Sequence, residues 1–134
     1  MAPLFIFEVH TPHRVFFDSN KVQAVILNLA DGEIGIYARH SPFTAITVTG
    51  VLRIKSGDKW KSAFVSGGIL EVKEFKNVLM VDAAEWPEEI DRERALASKQ
   101  EAEDILKDAQ FRFEIEKARK KLRRAIFRLK VLDQ

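Results

Sequence analysis

The stretch Trp86-Pro87-Glu88-Glu89-Ile90-Asp91-Arg92-Glu93-Arg94-Ala95 divides the chain into two parts of different composition. All six glycines and all four prolines lie at or before Pro87, and none lies beyond it. The later residues are rich in Ala, Leu, Glu, Lys and Arg, which favour long helices. Pro87 suits the first position of a helix, and the acidic residues after it suit the positive end of the helix dipole. We therefore expect a domain over residues 1–87 and a helical arm over residues 88–134.

The first part has the pattern of an all-β domain. Residues 4–84 contain short runs of Val, Ile and Phe separated by turn residues, which is typical of strands. In the first run Phe5, Phe7 and Val9 alternate with residues that face the other side, and Ser56-Gly57-Asp58 has the composition of a hairpin turn. Eight or more short antiparallel strands in about 80 residues predict a β-sandwich or a flattened barrel.

The arm carries apolar residues at intervals of seven, so one face of it must be buried. The series are Ala95, Ala102 and Ala109 in the first half, and Ile115, Leu122 and Leu129 with Ala118, Ala125 and Leu132 in the second half. Residues 88–110 contain eight acids and four bases, a net charge of −4, whereas residues 111–134 contain three acids and nine bases, a net charge of +6. The two halves therefore attract each other. We predict an antiparallel hairpin with its bend near residues 108–111, and a coiled coil with a partner chain remains the alternative.

Three arginines are predicted to meet at the base of this hairpin. A bend near residue 110 places Arg94 beside Arg124 and Arg128, which are four residues apart on one helical face. Such a cluster suits a polyanion, because each guanidinium offers planar, bidentate bonding to phosphate. Spacing alone leaves open the alternative that Arg94 pairs with Asp91 or Glu101 and that the other two are solvated.

The sequence gives little support to catalysis. It contains no cysteine, so disulfides and thiol nucleophiles are excluded, and no glycine-rich phosphate loop is present. His10, His13 and His40 are too weakly clustered to predict a metal site. No signal peptide or membrane-spanning run is found. Nucleic-acid binding is not favoured either, because the basic half of the arm is matched by an acidic half. We predict a protein without a catalytic site of its own.

Three segments in this order carry a resemblance to a known family. They are Gly32-Glu33-Ile34-Gly35-Ile36-Tyr37 followed by His40-Ser41-Pro42, then Val65-Ser66-Gly67-Gly68-Ile69-Leu70-Glu71-Val72, and then Ala83-Ala84-Glu85 followed by Ile90-Asp91-Arg92-Glu93-Arg94-Ala95. With the charged helical arm that follows, the chain resembles the epsilon subunit of bacterial F-type ATP synthase, of the nucleotide-binding type. The resemblance implies a β-sandwich N-terminal domain followed by a C-terminal antiparallel α-helical hairpin.

The resemblance also implies partners. Family membership places the chain in the central stalk, bound to the gamma subunit and to the ring of c subunits, with the Glu33 loop touching the ring and His40 assisting. The basic second helix would reach the alpha and beta subunits of the catalytic head and inhibit ATP hydrolysis. The implied location is peripheral, at the cytoplasmic face of the bacterial cell membrane, and the isolated chain is expected to be a monomer.

In the nucleotide-binding members, ATP is a regulatory ligand of the folded hairpin. The resemblance assigns the adenosine part to Ile90, Asp91 and Ala95, support from the β-domain to Glu85, and the phosphates to Arg94, Arg124 and Arg128. Two residues depart from the family pattern. Glu101 stands where some relatives carry a base, and Arg39 stands where glycine is commoner.

These expectations combine into a two-state arm. In the down state the hairpin packs on the sandwich and binds ATP, and in the up state it opens toward the catalytic head. ATP at a hundredfold excess over its dissociation constant would shift this balance by about 2.7 kcal/mol. The rival hypothesis is a non-enzymatic β-sandwich interaction module whose coiled-coil arm makes a homodimer.

Overall fold

A computed structural model describes residues 3–134, which form nine strands, a 3₁₀ turn and two α-helices. The strands are β1 Phe5–His10, β2 Val15–Leu29, β3 Gly32–Ile36, β4 Phe43–Thr47, β5 Gly50–Ser56, β6 Lys59–Val65, β7 Gly68–Val72, β8 Lys76–Val81 and β9 Ala84–Glu85. The 3₁₀ turn spans Pro87–Glu89, and the helices are α1 Arg92–Asp108 and α2 Arg112–Leu132. The predicted fold class, a β-sandwich followed by a helical hairpin, is confirmed.

The strands form a sheet that folds back on itself. Its order is β1-β8-β7-β4-β2-β5-β6-β9, with β3 also paired to β2, and a further pairing of β1 with β2 joins the two layers. The expectation that all strands are antiparallel was wrong for one pair, since β1 and β8 run parallel. A tight hairpin would force two strands to run antiparallel, but β1 and β8 are far apart in sequence and are not joined by one. The long connection between them allows the parallel pairing.

The core lies between the layers and follows the predicted alternation. Phe5, Phe7 and Val9 are buried, and the residues between them are partly exposed. The β5–β6 hairpin closes at Gly57 and Asp58, whose φ angles of 59° and 60° lie in the left-handed region that two-residue hairpin turns require.

The arm is an antiparallel hairpin whose bend occupies residues 109–111, as predicted. Ala95 and Ala102 of α1 are buried with Ala118 and Ala125 of α2, because small side chains let the two helices approach closely. Lys121 forms an ion pair with Glu101 at 2.8 Å across the hairpin, and Arg92 with Asp133 at 3.0 Å. The alanine positions that a dimeric coiled coil would use are thus covered within the chain itself.

The start of the arm differs from the prediction. Pro87 begins the 3₁₀ turn, and α1 begins only at Arg92, with Asp91 as its N-cap. The carboxylate of Asp91 accepts a hydrogen bond of 3.1 Å from the backbone N–H of Arg94. An aspartate N-cap starts a helix more effectively than the residues before it. Glu89 is unavailable to the helix because its carboxylate is bound by Arg14.

The hairpin lies against the sandwich rather than away from it. Helix α2 packs on β5 and β6, and Val131 near its end is 2 % exposed. The guanidinium of Arg128 lies 4.6 Å from the ring centroid of the fully buried Phe64. This is the arrangement that the sequence analysis expects for the down state, with the hairpin packed on the sandwich.

Candidate functional site

A cavity of about 230 Å³ lies at the root of the hairpin, where the sandwich, the junction and both helices meet. Eight residues line it: Glu85, Glu89, Ile90, Asp91, Arg94, Ala95, Ser98 and Arg128. Six of the seven residues assigned to ATP by resemblance are therefore brought together in one place. Glu89 and Ser98 were not predicted. Ser98 follows Arg94 by four residues, so the helical period is the signal that could have identified it.

The junction positions the floor of this cavity. Because Asp91 caps α1, its side chain is fixed at the N-terminus of the helix, hydrogen-bonded to the backbone N–H of Arg94 three residues later. Ala95, one residue further, is 4 % exposed, and its small side chain leaves room between α1 and the sandwich. Ile90 is half-buried and provides the apolar part of the wall.

Arg128 is the most constrained cation of the cavity. Its Nε donates to Oε1 of Glu85 at 2.9 Å and its Nη2 donates to Oε2 at 2.8 Å, which is a bidentate pair. The side chains of both residues are only 26 % exposed. The alternative that Arg128 is solvated is therefore wrong. Sequence reasoning did not predict this pair, because its members lie on different domains and no local spacing connects them.

Arg94 is the available cation. Its guanidinium makes no ion pair with any residue between 3 and 134. The carboxylate of Asp91 is used by the backbone N–H of Arg94, and Glu101 is paired with Lys121 instead. The alternative pairing of Arg94 with Asp91 or Glu101 is thus not what the structure shows. An incoming anion would find this guanidinium free.

Arg124 does not line this cavity. It lies in the wall of a neighbouring cleft, with Asp82 and the 47–49 segment. It precedes Arg128 by four residues, about 6 Å along the helix axis, and this displacement carries it past the end of the root cavity. Two guanidiniums line the cavity, whereas the spacing argument predicted three.

The carboxylates of the cavity are mostly engaged. Glu85 is held by Arg128, and Glu89 accepts two bonds of 2.8 Å from Arg14 and one of 2.9 Å from the backbone N–H of Trp86. The Arg14 guanidinium, and after it this N–H group, lower the pKa of Glu89 below its ordinary value. Glu89 is therefore ionised at neutral pH, and its charge is already compensated from the sandwich side.

The loop implied as a ring contact lies elsewhere on the sandwich. Glu33 of β3 is exposed and forms an ion pair with Arg53. His40 lies between Ser41, whose carbonyl oxygen is 2.9 Å from its Nδ1, and the ring of Phe43 at 5.0 Å. Arg39 has a φ of 64°, a left-handed conformation that glycine adopts most easily. A glycine at this position would adopt the same angle without strain.

A β-sandwich domain followed by a domain of long helices is the architecture of the delta and epsilon chains of ATP synthases. The sequence matches the family described as "ATP synthase, Delta/Epsilon chain, beta-sandwich domain" over residues 4–87. It matches the "ATP synthase, Delta/Epsilon chain, long alpha-helix domain" over residues 88–133.

Individual relatives agree over the full length. The chain is 47% identical to the ATP synthase epsilon chain of Caldicellulosiruptor saccharolyticus over 130 residues, 97% of this chain and 94% of that one. It is 42% identical to that of Caldanaerobacter subterraneus subsp. tengcongensis, covering 100% of this chain and 97% of that one. The chain belongs to the epsilon-chain family of ATP synthase.

Solved structures show the same fold at low sequence identity. A chain of the Euglena gracilis mitochondrial ATP synthase in an assembly of OSCP, F1 and c-ring has a TM-score of 0.77 and 20% identity, covering 99% of this chain and 80% of its own length. A chain of the Tetrahymena thermophila central stalk and c-ring has a TM-score of 0.69 and 14% identity, covering 98% of each chain. Within residues 3–134, no helix is long and apolar enough to cross a membrane.

Proposed function

We propose that this chain is a central-stalk subunit of a bacterial ATP synthase whose sandwich attaches to the rotor and whose hairpin senses ATP. The observation that carries the regulatory part is the cavity at the root of the docked hairpin, in which Arg94 and Arg128 face the same space. A ligand bound there touches both domains at once. It therefore stabilises the docked arm relative to any open arrangement.

The residues that line the cavity have the chemical character that each part of ATP requires. Arg94 is free to bond a phosphate, Arg128 supplies a second guanidinium, and Ile90 and Ala95 offer apolar contact for the adenine base. Asp91 provides a carboxylate acceptor for polar groups of the adenosine. The cavity of about 230 Å³ is smaller than most ligand sites, which span about 300–1,000 Å³. Binding ATP thus requires a small opening of the cavity.

Nucleotide binding couples to the position of the arm. The docked arm is held by the Arg128–Glu85 pair and by the buried Val131. When ATP is absent the arm opens more readily, and α2 reaches the alpha and beta subunits of the catalytic head. Its basic residues would contact acidic segments there and inhibit rotation in the direction of hydrolysis. Since ATP bound at a hundredfold excess contributes about 2.7 kcal/mol, the switch works if the two states differ by less than this.

The sandwich offers two surfaces for the rotor. Ile46, Ile69 and Met80 are directly paired across β4, β7 and β8, and they are 77 %, 46 % and 43 % exposed. A continuous apolar stripe of this kind is typical of an interface, and we assign it to the gamma subunit. The Glu33 loop is assigned to the c-subunit ring. This ring would hold the chain peripherally at the cytoplasmic face of the membrane.

Calorimetric titration with ATP tests the nucleotide site. Arg94→Ala is the decisive variant, because the Arg94 side chain makes no ion pair among residues 3–134 and its loss leaves the docked arm intact. We expect roughly a tenfold or greater loss of ATP affinity. Arg112→Ala is the matched control, since among residues 3–134 that arginine pairs only with Glu116, at the far end of the hairpin. Equal heats for wild type and Arg94→Ala would rule the site out.

Arg124→Ala should reduce ATP affinity less than Arg94→Ala does, because Arg124 lies outside the cavity.

A further inference from the structure

A second cavity lies where helix α2 ends over the outer face of the sheet, and it has no role in the proposed switch. This sheet-face cavity has a volume of about 490 Å³, within the range of about 300–1,000 Å³ that ligand sites span. The sandwich and the junction contribute Ile26, Arg53, Trp60, Ser62 and Pro87, and the end of the arm contributes Val131, Leu132 and Gln134. The root cavity shares none of these residues, so the two cavities are separate sites.

Strand pairing explains why the side chains of the sandwich meet here. Arg53 of β5 is paired directly with Ile26 of β2 and with Ser62 of β6, so the three side chains project from the same face of the sheet. Trp60 lies two residues from Ser62 and shares this face, whereas Ile54 is buried on the opposite face in the core. Helix α2 packs on part of the outer face of β5 and β6 and then ends, which leaves the remainder open.

Trp60 provides the main apolar surface of the cavity. Its side chain is 48 % exposed, although an indole ring is among the side chains that gain most from burial. Ile26 and Leu132 are half-buried on either side of the cavity, and Val131 is closed beneath it. An occupant with an apolar body would therefore remove apolar surface of both the sandwich and the arm from water.

The polar side of the cavity is cationic. Arg53 lines it, and the Nζ of Lys55, two residues further along β5, lies 6.0 Å from the ring centroid of Trp60. Among residues 3–134, no Asp or Glu side chain lines the cavity, and Lys55 forms no ion pair. Arg53 bonds the exposed Glu33 through Nη2, and its Nε is buried, so the other amino group, Nη1, remains for a ligand. These charges complement an anion.

We infer that the sheet-face cavity binds a small amphipathic carboxylate, whose apolar body covers Trp60 and whose carboxylate bonds Arg53. A guanidinium donates strong, charge-assisted hydrogen bonds to a carboxylate. Because the walls come from both the sandwich and α2, an occupant stabilises the docked arm independently of ATP. This effect on the arm rests on the proposed switch, whereas the binding itself does not. Aromatic acids and medium-chain fatty acids share the required chemistry.

Naphthoate and decanoate are the probes, each titrated into the full chain by calorimetry. Trp60→Ala is the cavity variant, and Phe75→Ala is the matched control, because Phe75 is a similarly exposed aromatic residue, at 46 %, outside the cavity. We expect roughly a tenfold or greater loss of affinity for Trp60→Ala and less than about a twofold loss for Phe75→Ala. Tighter binding of naphthoate would identify aromatic acids as the ligand class, and tighter binding of decanoate would identify fatty acids. Equal losses in the two variants would overturn the inference.

The role of the cation is tested with naphthamide, the uncharged analogue of naphthoate. Arg53→Gln should weaken the binding of naphthoate without changing that of naphthamide. Arg112→Gln is the control, because both arginines pair with an exposed glutamate and only Arg53 lines the cavity. Equal affinities of the wild type for naphthoate and naphthamide would refute the carboxylate as the recognised group.

Hydrogen exchange measures the effect on the arm. Bound acid should slow the exchange of the backbone amides of α2, and Leu132→Ala should weaken binding, since Leu132 forms the wall on the arm side. Arg94→Ala should bind both acids as the wild type does, so a failure of the nucleotide site is distinguished from a failure of this one. Unchanged exchange with unchanged affinity in Leu132→Ala would contradict a site shared by both domains. A homodimer that Trp60→Ala dissociates, with no heat from either acid, would show that a second copy of the chain covers this face.

Discussion

Replacing Arg128 by alanine should release the docked arm in the absence of nucleotide. The Arg128–Glu85 pair is bidentate, with both side chains 26 % exposed, so its contribution falls between that of exposed pairs, about 0.2–1 kcal/mol, and that of buried pairs, about 3–5 kcal/mol. We assign about 1–1.5 kcal/mol of the free energy of docking to this ion pair. The contact of the guanidinium with Phe64 adds about 0.5–1 kcal/mol. The total of about 2 kcal/mol corresponds to roughly a 30-fold increase in the ratio of open to docked arms.

Distances between two labels report this ratio directly. The chain contains no cysteine, so Lys59→Cys on the sandwich and Gln110→Cys at the bend accept labels without interference. Arg112→Ala is the control, because it removes an exposed ion pair of α2 at the bend end of the hairpin. The longer-distance population should grow in Arg128→Ala and stay constant in Arg112→Ala. Indistinguishable distance distributions for Arg128→Ala and wild type would refute the assignment of Arg128 as the main tie between the domains.

Three further substitutions test the fold and its electrostatics. Gly68→Ala should destabilise the sandwich by about 3 kcal/mol or more, because a Cβ there overlaps a backbone carbonyl of β8, whereas Gly35→Ala, with its nearest atom 3.6 Å away, should change the melting temperature far less. Ala125→Leu should destabilise the hairpin by about 1–3 kcal/mol, since Ala125 is fully buried between α1 and α2, and chemical denaturation measures this loss. Glu89→Gln tests a pH dependence, because Arg14 lowers the pKa of Glu89 in the folded state. The ionised carboxylate therefore stabilises the fold fully above its unfolded pKa of about 4.3. This stabilisation is lost as the pH falls through the lower pKa of the folded state. The melting-temperature difference between wild type and Glu89→Gln should therefore be constant at neutral pH and vanish in acid.

Periodicity was sufficient to predict the elements that depend on local burial. The alternation of Phe5, Phe7 and Val9 indicated a half-buried strand, and Ala95 and Ala102 at heptad spacing indicated the closely packed helix pair. The bend at residues 109–111 followed from the change of charge and pattern, although no glycine or proline marks it. In each case the relevant contacts are made by neighbours whose spacing is fixed by strand or helix geometry.

The rest depended on contacts between distant segments, which local spacing does not encode. The helical period placed Arg124 and Arg128 on one face, but only the way α2 lies on the sandwich decides which of them meets the root cavity. The partner of Arg128, Glu85, is 43 residues away on another domain. The parallel pairing of β1 and β8 likewise joins the first strand of the domain to one near the end of its sequence.

The junction is fixed to the sandwich as far as residue 89. Trp86 stacks on Phe16 with ring centroids 4.4 Å apart, which ties the end of β9 to the core. Glu89 receives both bonds from Arg14 and also binds the backbone N–H of Trp86, which closes the 3₁₀ turn. Trp86 to Glu89 therefore behave as part of the sandwich, whatever the arm does.

Asp91, in contrast, belongs to the arm, because it caps α1. Ile90 lies between the two bodies in an extended conformation, with φ −93° and ψ 125°, and the arm can rotate about it without losing either the cap or the Arg14 bonds. Opening then breaks the Arg128–Glu85 pair but leaves Glu89 in place. Glu89→Gln should accordingly lower the melting temperature without changing the label distances that Arg128→Ala changes. If Glu89→Gln lengthened those distances to the same extent, the pivot would have to lie before residue 89, because the 3₁₀ turn would then be moving with the helices.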